Sequence, residues 1–309
     1  MKLYLHTNYD CLVITKELDF ELHGGQKKVV ETELPVVMQI FPTCKVSQVL
    51  PCAVTIFKNR NLISSENPFV NIYTINAENC IVEIKPCYAS TSSSLANLST
   101  KTNDYEVCQN EFVEIKCANK VIKQKNIVCT KADLYEQNNL IFCVLHCFND
   151  KQLLVFDEQN NILLDEKISQ IENLEKSFQT FLNLNDMQKQ GVVKKYVIDD
   201  DELRLESEYP VYVNQTAKPL FSQKLIPQAF FEAVRAKNLN LAKSCLSTQL
   251  SGKITLPHLV SYFGKFDKIY NLTDDANFPC FALADSNDLS CCLYKLSLIG
   301  EQVDNIQKL

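Results

Sequence analysis

Along residues 1–216 the apolar positions recur every second residue, in short runs. In 52–56 (CAVTI), Cys52, Val54 and Ile56 share a face; in 80–84 (CIVEI), Cys80, Val82 and Ile84 do so, with Glu83 opposite; in 113–117 (VEIKC), Val113, Ile115 and Cys117 do so. A period of two is that of a half-buried strand. The pattern predicts strands at 11–15, 35–41, 51–57, 69–75, 80–84, 112–117, 140–147, 152–156 and 191–198, a spacing that implies a β-sandwich or barrel. The polar stretch 88–105 reads as a flexible loop or linker dividing the β region into two sheets or sub-domains, with a binding loop as the alternative. Over 165–184, Ile168, Ile171, Leu174, Phe178 and Leu182 fit a helical stripe, which slightly favours a helix; an extended 178–184 stays open.

The period changes after residue 217. Pro227 suits the first turn of a helix whose stripe is Phe230, Phe231 and Val234. A second helix follows, with Leu239, Ala242 and Leu246 on one face and Leu241 and Cys245 beside it. Thr255 is placed to cap a third, with Pro257 early, Leu259, Val260 and Phe263 inward and Gly264 at the stop. Strands are predicted at 267–272, 278–284, 291–299 and 301–306. In the third of these, Cys292, Tyr294, Leu296 and Leu298 share the more apolar face, expected behind the helices. Cys291, Leu293, Lys295 and Ser297 share the other, expected against a partner chain or the β region. The fold class is therefore α+β, mostly β: a β-rich domain over 1–216 and a small α+β domain over 217–309.

The chain has 6 glycines in 309 residues, so Asn and Asp are expected to close turns, as at Lys58-Asn59-Arg60-Asn61, Asn149-Asp150 and Asn160-Asn161. The shortage also excludes glycine-rich phosphate loops, and no G-x-S-x-G elbow or H-E-x-x-H helix occurs. A net charge of −6 and only three arginines, Arg60, Arg204 and Arg235, argue against nucleic acid as a partner. No run approaches the roughly 18 apolar residues of a membrane helix, and no signal-like segment is evident, so a cytoplasmic protein is expected.

The 14 cysteines fall largely on inward strand positions, which predicts reduced core thiols rather than disulfides. Within 141–147 (IFCVLHC), His146 points away from Cys143 and Cys147, so no metal set forms on that strand. Asp199-Asp200-Asp201-Glu202 lacks the glycine and ligand spacing of a calcium loop and reads as a solvated turn. No cofactor is expected.

Residues 226–264 (IPQAFFEAVRAKNLNLAKSCLSTQLSGKITLPHLVSYFG), with 294–306 (YKLSLIGEQVDNI), resemble the nuclear-transport-factor-2-like superfamily. The resemblance covers under a third of the chain and lies in apolar spacing. It implies short helices packed on a curved antiparallel sheet to form a cone, although the sheet is short for the family. Enzymes of that fold place a carboxylate, His or Tyr inside the cone; the positions this suggests are His258, Tyr262, Tyr270 and Asp285. With no catalytic motif elsewhere, the expectation is a non-enzymatic binding or assembly protein of a lysine-rich, bacterial type, acting on a protein partner or on itself. The alternative is a small-molecule-binding protein or enzyme using the cone. A filled cone and a broad apolar outer sheet face favour the first; a charged, open cone favours the second.

Overall fold

A computed structural model gives the fold. It describes all residues except 44–48, 61, 89–92, 101–102, 111, 126, 128, 148–149, 175, 188, 200–201, 214–224 and 274–277, and the side chains of Tyr88 and Ser93. Strand makes up 62% and helix 11% of the chain, in several sheets that, among the described residues, form no closed barrel. Strands stand where alternation predicts them, among them Cys11–Ile14, Val36–Pro42, Cys52–Asn59 and Asn79–Ile84, and the apolar run at 140–147 is the strand Leu140–Cys147. Among the described residues no helix is long and apolar enough to cross a membrane. The chain divides into two compact units, residues 1–89 with 220–309, and residues 90–219. The division expected at 216/217 lies outside the described residues, as do Asp200, Asp201 and Asn149.

The first unit is layered. Sheet I runs, in spatial order, Lys27–Glu31, Lys2–Thr7, Asn79–Ile84, Val70–Asn76. Lys2–Thr7 lies parallel to Asn79–Ile84, with Leu5 opposite Val82 and His6 opposite Glu83. Sheet II runs Asp19–Leu22, Cys11–Ile14, Val36–Pro42, Cys52–Asn59, Leu62–Ser64. The alternate residues Leu3, Leu5, Val13, Met38, Ile40, Val54, Ile56, Cys80 and Val82 fill the space between them.

The other face of sheet I carries Tyr73 and Ile81. It packs on the last sheet, sheet VI, through Tyr270, Ala282, Ala284, Cys291 and Leu293. Sheet VI consists of Lys268–Asn271, Cys280–Asp285, Ser290–Ile299 and Gln302–Lys308. Its second face, with Phe281, Leu283, Tyr294, Leu296 and Val303, lies beneath the helices. The two faces of Ser290–Ile299 are therefore disposed as their alternation predicts: Tyr294 and Leu296 toward the helices, Leu293 against the β region.

Four short helices cover sheet VI: α1 (Ile226–Arg235), α2 (Leu239–Ser244), α3 (Thr248–Ser251) and α4 (Leu256–Phe263). The starts of α2, α3 and α4 are set by side chains that accept the free N–H groups of the first turn. Asn238 accepts from Leu241 N, Ser247 from Leu250 N and Thr255 from His258 N. Gly264, at φ +70°, stops α4, a backbone conformation in which a side chain would be strained.

The second unit is three four-stranded antiparallel meanders stacked face to face. Sheet III comprises Ser93–Ser99, Asp104–Gln109, Val113–Cys117 and Lys120–Lys125. Sheet IV comprises Cys129–Gln137, Leu140–Cys147, Lys151–Phe156 and Ile162–Ile168. Sheet V comprises Gln170–Leu174, Ser177–Asn183, Gln190–Asp199 and Glu202–Tyr212. Sheet IV is the middle layer. Cys143, Leu145, Leu154 and Phe156 face Val107 and Ile115 of sheet III; Phe142, Val144, Leu153 and Val155 face Phe178 and Tyr196 of sheet V. Burial on both faces explains why 140–147 is apolar without alternation.

Consecutive carboxylates on one strand tie the three layers together. Asp165 accepts from Lys125 Nζ at 2.6 Å, across to sheet III. Glu166 turns the other way and accepts from Lys194 Nζ (2.6 Å), Tyr196 Oη (2.9 Å) and Thr180 Oγ1 (2.9 Å) of sheet V.

Two expectations are corrected. The described residues of 165–184 contain no helix; the segment is built of the strands Ile162–Ile168, Gln170–Leu174 and Ser177–Asn183. Ile168, Ile171 and Phe178 pack on one core from three different strands, which imitates a helical stripe. Nor is 88–105 a linker throughout: Ser93–Ser99 is the edge strand of sheet III, and its Leu95, Ala96 and Leu98 supply enough apolar surface to join the core.

Candidate functional site

The helix-covered side of sheet VI is occupied by aromatic rings. Phe231 lies 5.5 Å from Phe263, 5.2 Å from Phe281 and 5.4 Å from Phe230, centroid to centroid, and Phe263 lies 5.0 Å from Tyr294. All five are buried. Offset and edge-to-face rings at these separations are in direct packing contact with one another.

The four sequence-predicted residues are engaged separately. His258 is exposed on α4. Tyr262 is 45% exposed and donates its hydroxyl to the Ile306 carbonyl at 3.2 Å. Asp285 is buried at the end of its strand and accepts the Asn287 N–H at 2.9 Å, closing the turn. Tyr270 lies on the opposite face of sheet VI, against sheet I.

Around Tyr270 is a polar cluster not foreseen as a site. Glu83 projects from the outer face of sheet I. Its Oε1 accepts from Lys268 Nζ at 2.8 Å, and its Oε2 accepts from Asn71 Nδ2 at 3.1 Å and Tyr73 Oη at 3.2 Å. The His6 ring lies 4.6 Å from that of Tyr270, and Tyr270 lies 5.9 Å from Tyr73. Burial opposes ionisation of Glu83, yet Lys268 and the three hydrogen bonds hold its carboxyl below the usual range. Burial, against the pull of Glu83, pushes His6 down to about 4. Burial and the Glu83 charge push the Tyr73 and Tyr270 hydroxyls up. His6 Nε2 and the Tyr270 hydroxyl are buried without a hydrogen-bond partner. The cluster thus combines a saturated carboxylate, a neutral imidazole and two phenols that resist ionisation. Glu83 has no oxygen left without a donor, so it acts as an anionic clamp between two sheets rather than as a base.

The remaining candidates do not converge. His146 Nε2 contacts Asp133 Oδ2 at 2.6 Å, while Cys143 and Cys147 pack on the opposite face of the strand. Among the described residues no three His, Cys, Asp or Glu side chains gather in a metal-holding set. An open groove of about 890 Å³ at the edge of sheet I is lined by Lys2, Glu31, Glu33, Lys58 and Glu78. Its charges are mixed, and Lys2 pairs with Glu31 at 3.2 Å. No family model and no curated protein matches this chain.

Proposed function

We propose that this chain is a non-enzymatic binding or assembly protein whose C-terminal module is a nuclear-transport-factor-2-like cone with a filled interior. The observation that carries this reading is the packing of Phe230, Phe231, Phe263, Phe281 and Tyr294 where such a cone would hold a ligand. Catalysis in a cone requires a titratable group facing a cavity; here that volume is occupied by rings. The polar residues nearest to a catalytic constellation, Glu83 with Lys268 and Tyr73, are spent on holding two sheets together.

The test pairs two measurements on the full chain. Thermal-shift screening against a library of small metabolites should give no saturable stabilisation, and sedimentation over a wide concentration range should report whether the chain self-associates. Saturable binding of a metabolite that Phe231→Ala or Tyr262→Ala abolishes would overturn the proposal in favour of a cone-pocket enzyme or carrier.

A further inference from the structure

Cys129 opens one strand of sheet IV and Cys147 closes its neighbour, and the two are directly opposite each other. Their sulfurs lie 3.8 Å apart. Neither backbone N–H is used on the other residue: Cys129 N donates to Gln109 Oε1 at 2.9 Å, and Cys147 N donates to the Asp150 carbonyl at 2.9 Å. They therefore form a non-hydrogen-bonded antiparallel pair, in which opposite Cα atoms approach to about 4.5 Å. A disulfide spans Cα separations of about 4.4–6.8 Å, a range that a regular pair of this kind meets; the register shifts only beyond it, between Cys129 and Lys131. Access is unequal: Cys129 is buried and Cys147 is only half-buried. Cys143 shares their face but is opposite Leu134, one strand over, and stays fully buried.

We propose that Cys129 and Cys147 form an oxidisable dithiol that takes a small-molecule disulfide of the glutathione class as its oxidant. The Cys147 thiolate attacks one sulfur of the reagent. The reagent's S–S bond breaks, one thiolate leaves and takes up a proton, and Cys147 carries a mixed disulfide. Cys129 then loses its proton and attacks Cys147 Sγ. The mixed disulfide breaks, the second small thiolate leaves and is protonated, and the Cys129–Cys147 bond remains. Two protein thiols are oxidised, one small disulfide is reduced to two thiols, and the two protons lost are the two gained. Cys147 is the entry point because it is the reachable sulfur. Cys129 resolves, and because burial pushes its thiol up once Cys147 is tied in the mixed disulfide, that second step accelerates as pH rises.

The experiment incubates the full chain with excess oxidised glutathione, quenches it with an alkylating reagent and maps the peptides by mass spectrometry. Wild-type protein should yield a peptide pair linked through Cys129 and Cys147. Cys129→Ser should instead accumulate a stable glutathione adduct on Cys147, and Cys147→Ser should leave Cys129 free to be alkylated. Circular dichroism of both variants checks that the exchange of sulfur for oxygen leaves the fold in place. The proposal is overturned if, in the wild-type chain, a glutathione adduct persists on Cys147 without the internal bond. It is equally overturned if both thiols remain alkylatable at equilibrium, and the wild-type result stands whether or not the variants fold.

Discussion

Acid should destabilise the first unit through His6 before it reaches the carboxylates. His6 is held neutral in the fold: its value drops from 6.5 to about 4, while in the unfolded chain it titrates normally. Above 6.5 both states are neutral and His6 contributes no pH dependence. Between 6.5 and about 4 the unfolded chain binds a proton that the fold excludes, so stability falls as pH falls. Below about 4 both states are protonated and the loss is complete. At about 1.4 kcal/mol per unit, the full difference is worth about 3 kcal/mol as an upper limit. Burial fixes the sign: it outweighs Glu83, which favours the proton, and Lys27 adds to it by opposing the proton. Glu83 acts in a separate window: its depressed carboxyl contributes stability above the ordinary value of 4.5, which is lost only below it. The perturbation is His6→Leu. It removes the titration and replaces an unpartnered Nε2 by carbon, so at about pH 7.5 the variant should match wild type within about 1 kcal/mol. Urea unfolding followed by circular dichroism, repeated from about pH 7.5 to 4.5, gives the difference between the two proteins. His23, His146 and His258 cancel in that difference. Wild type should lose about 2 kcal/mol more than the variant over this range. Parallel curves would sink the argument, because they would mean that His6 is as easily protonated in the fold as out of it.

Three further outcomes follow from the packing. Lys268→Met leaves the Glu83 carboxylate between two sheets without its cation, and the pair is only partly screened from water; a loss of about 1–3 kcal/mol is expected. Adding Glu83→Gln should recover part of it, as a double-mutant cycle in chemical denaturation will show. Leu296→Asp places an unpaired carboxylate beneath the helices and should unfold the module. Leu293→Asp, at the partly buried junction of sheets I and VI, should loosen that packing while leaving the helical signal; circular dichroism and sizing chromatography distinguish the two, and the reverse ranking would mean that the faces are inverted. Gly191→Ala would set a Cβ 2.2 Å from the Phe181 ring and 3.0 Å from the Leu182 carbonyl. That should cost about 1–3 kcal/mol, with Phe181→Leu relieving part of the cost in a thermal melt.

What the sequence reveals of this fold depends on how local the cause is. Period-two runs locate strands because each buries its own alternate residues against whatever lies above. The helix ends are legible for the same reason: Thr255, Pro257 and Gly264 act within one turn. Turn chemistry is legible in kind: among the described residues five of the ten non-glycine positions with positive φ are Asn, including Asn160 and the pair Asn138-Asn139, which was not anticipated. Where two causes share a spacing, local reading fails. Ile168, Ile171 and Phe178 sit three to seven residues apart because turns separate their strands, and that imitates a helix. The candidate site fails for a different reason. The cone resemblance suggests Tyr262 and Tyr270 as partners in one interior, yet Tyr270 follows the parity of Ala282 rather than that of Phe281, so it faces sheet I and not the helices. Within 80–84 Glu83 is the one polar residue, on the face opposite Cys80, Val82 and Ile84. Its cation is 185 residues away, beyond any pattern. Glu166 makes the same kind of clamp with Lys194 and Tyr196, which lie within the next sheet of a meander stack. A lone carboxylate opposite apolar neighbours on a strand is therefore best read as a tie to the next layer, and its partner can be sought from sequence only where that layer is also next in the chain.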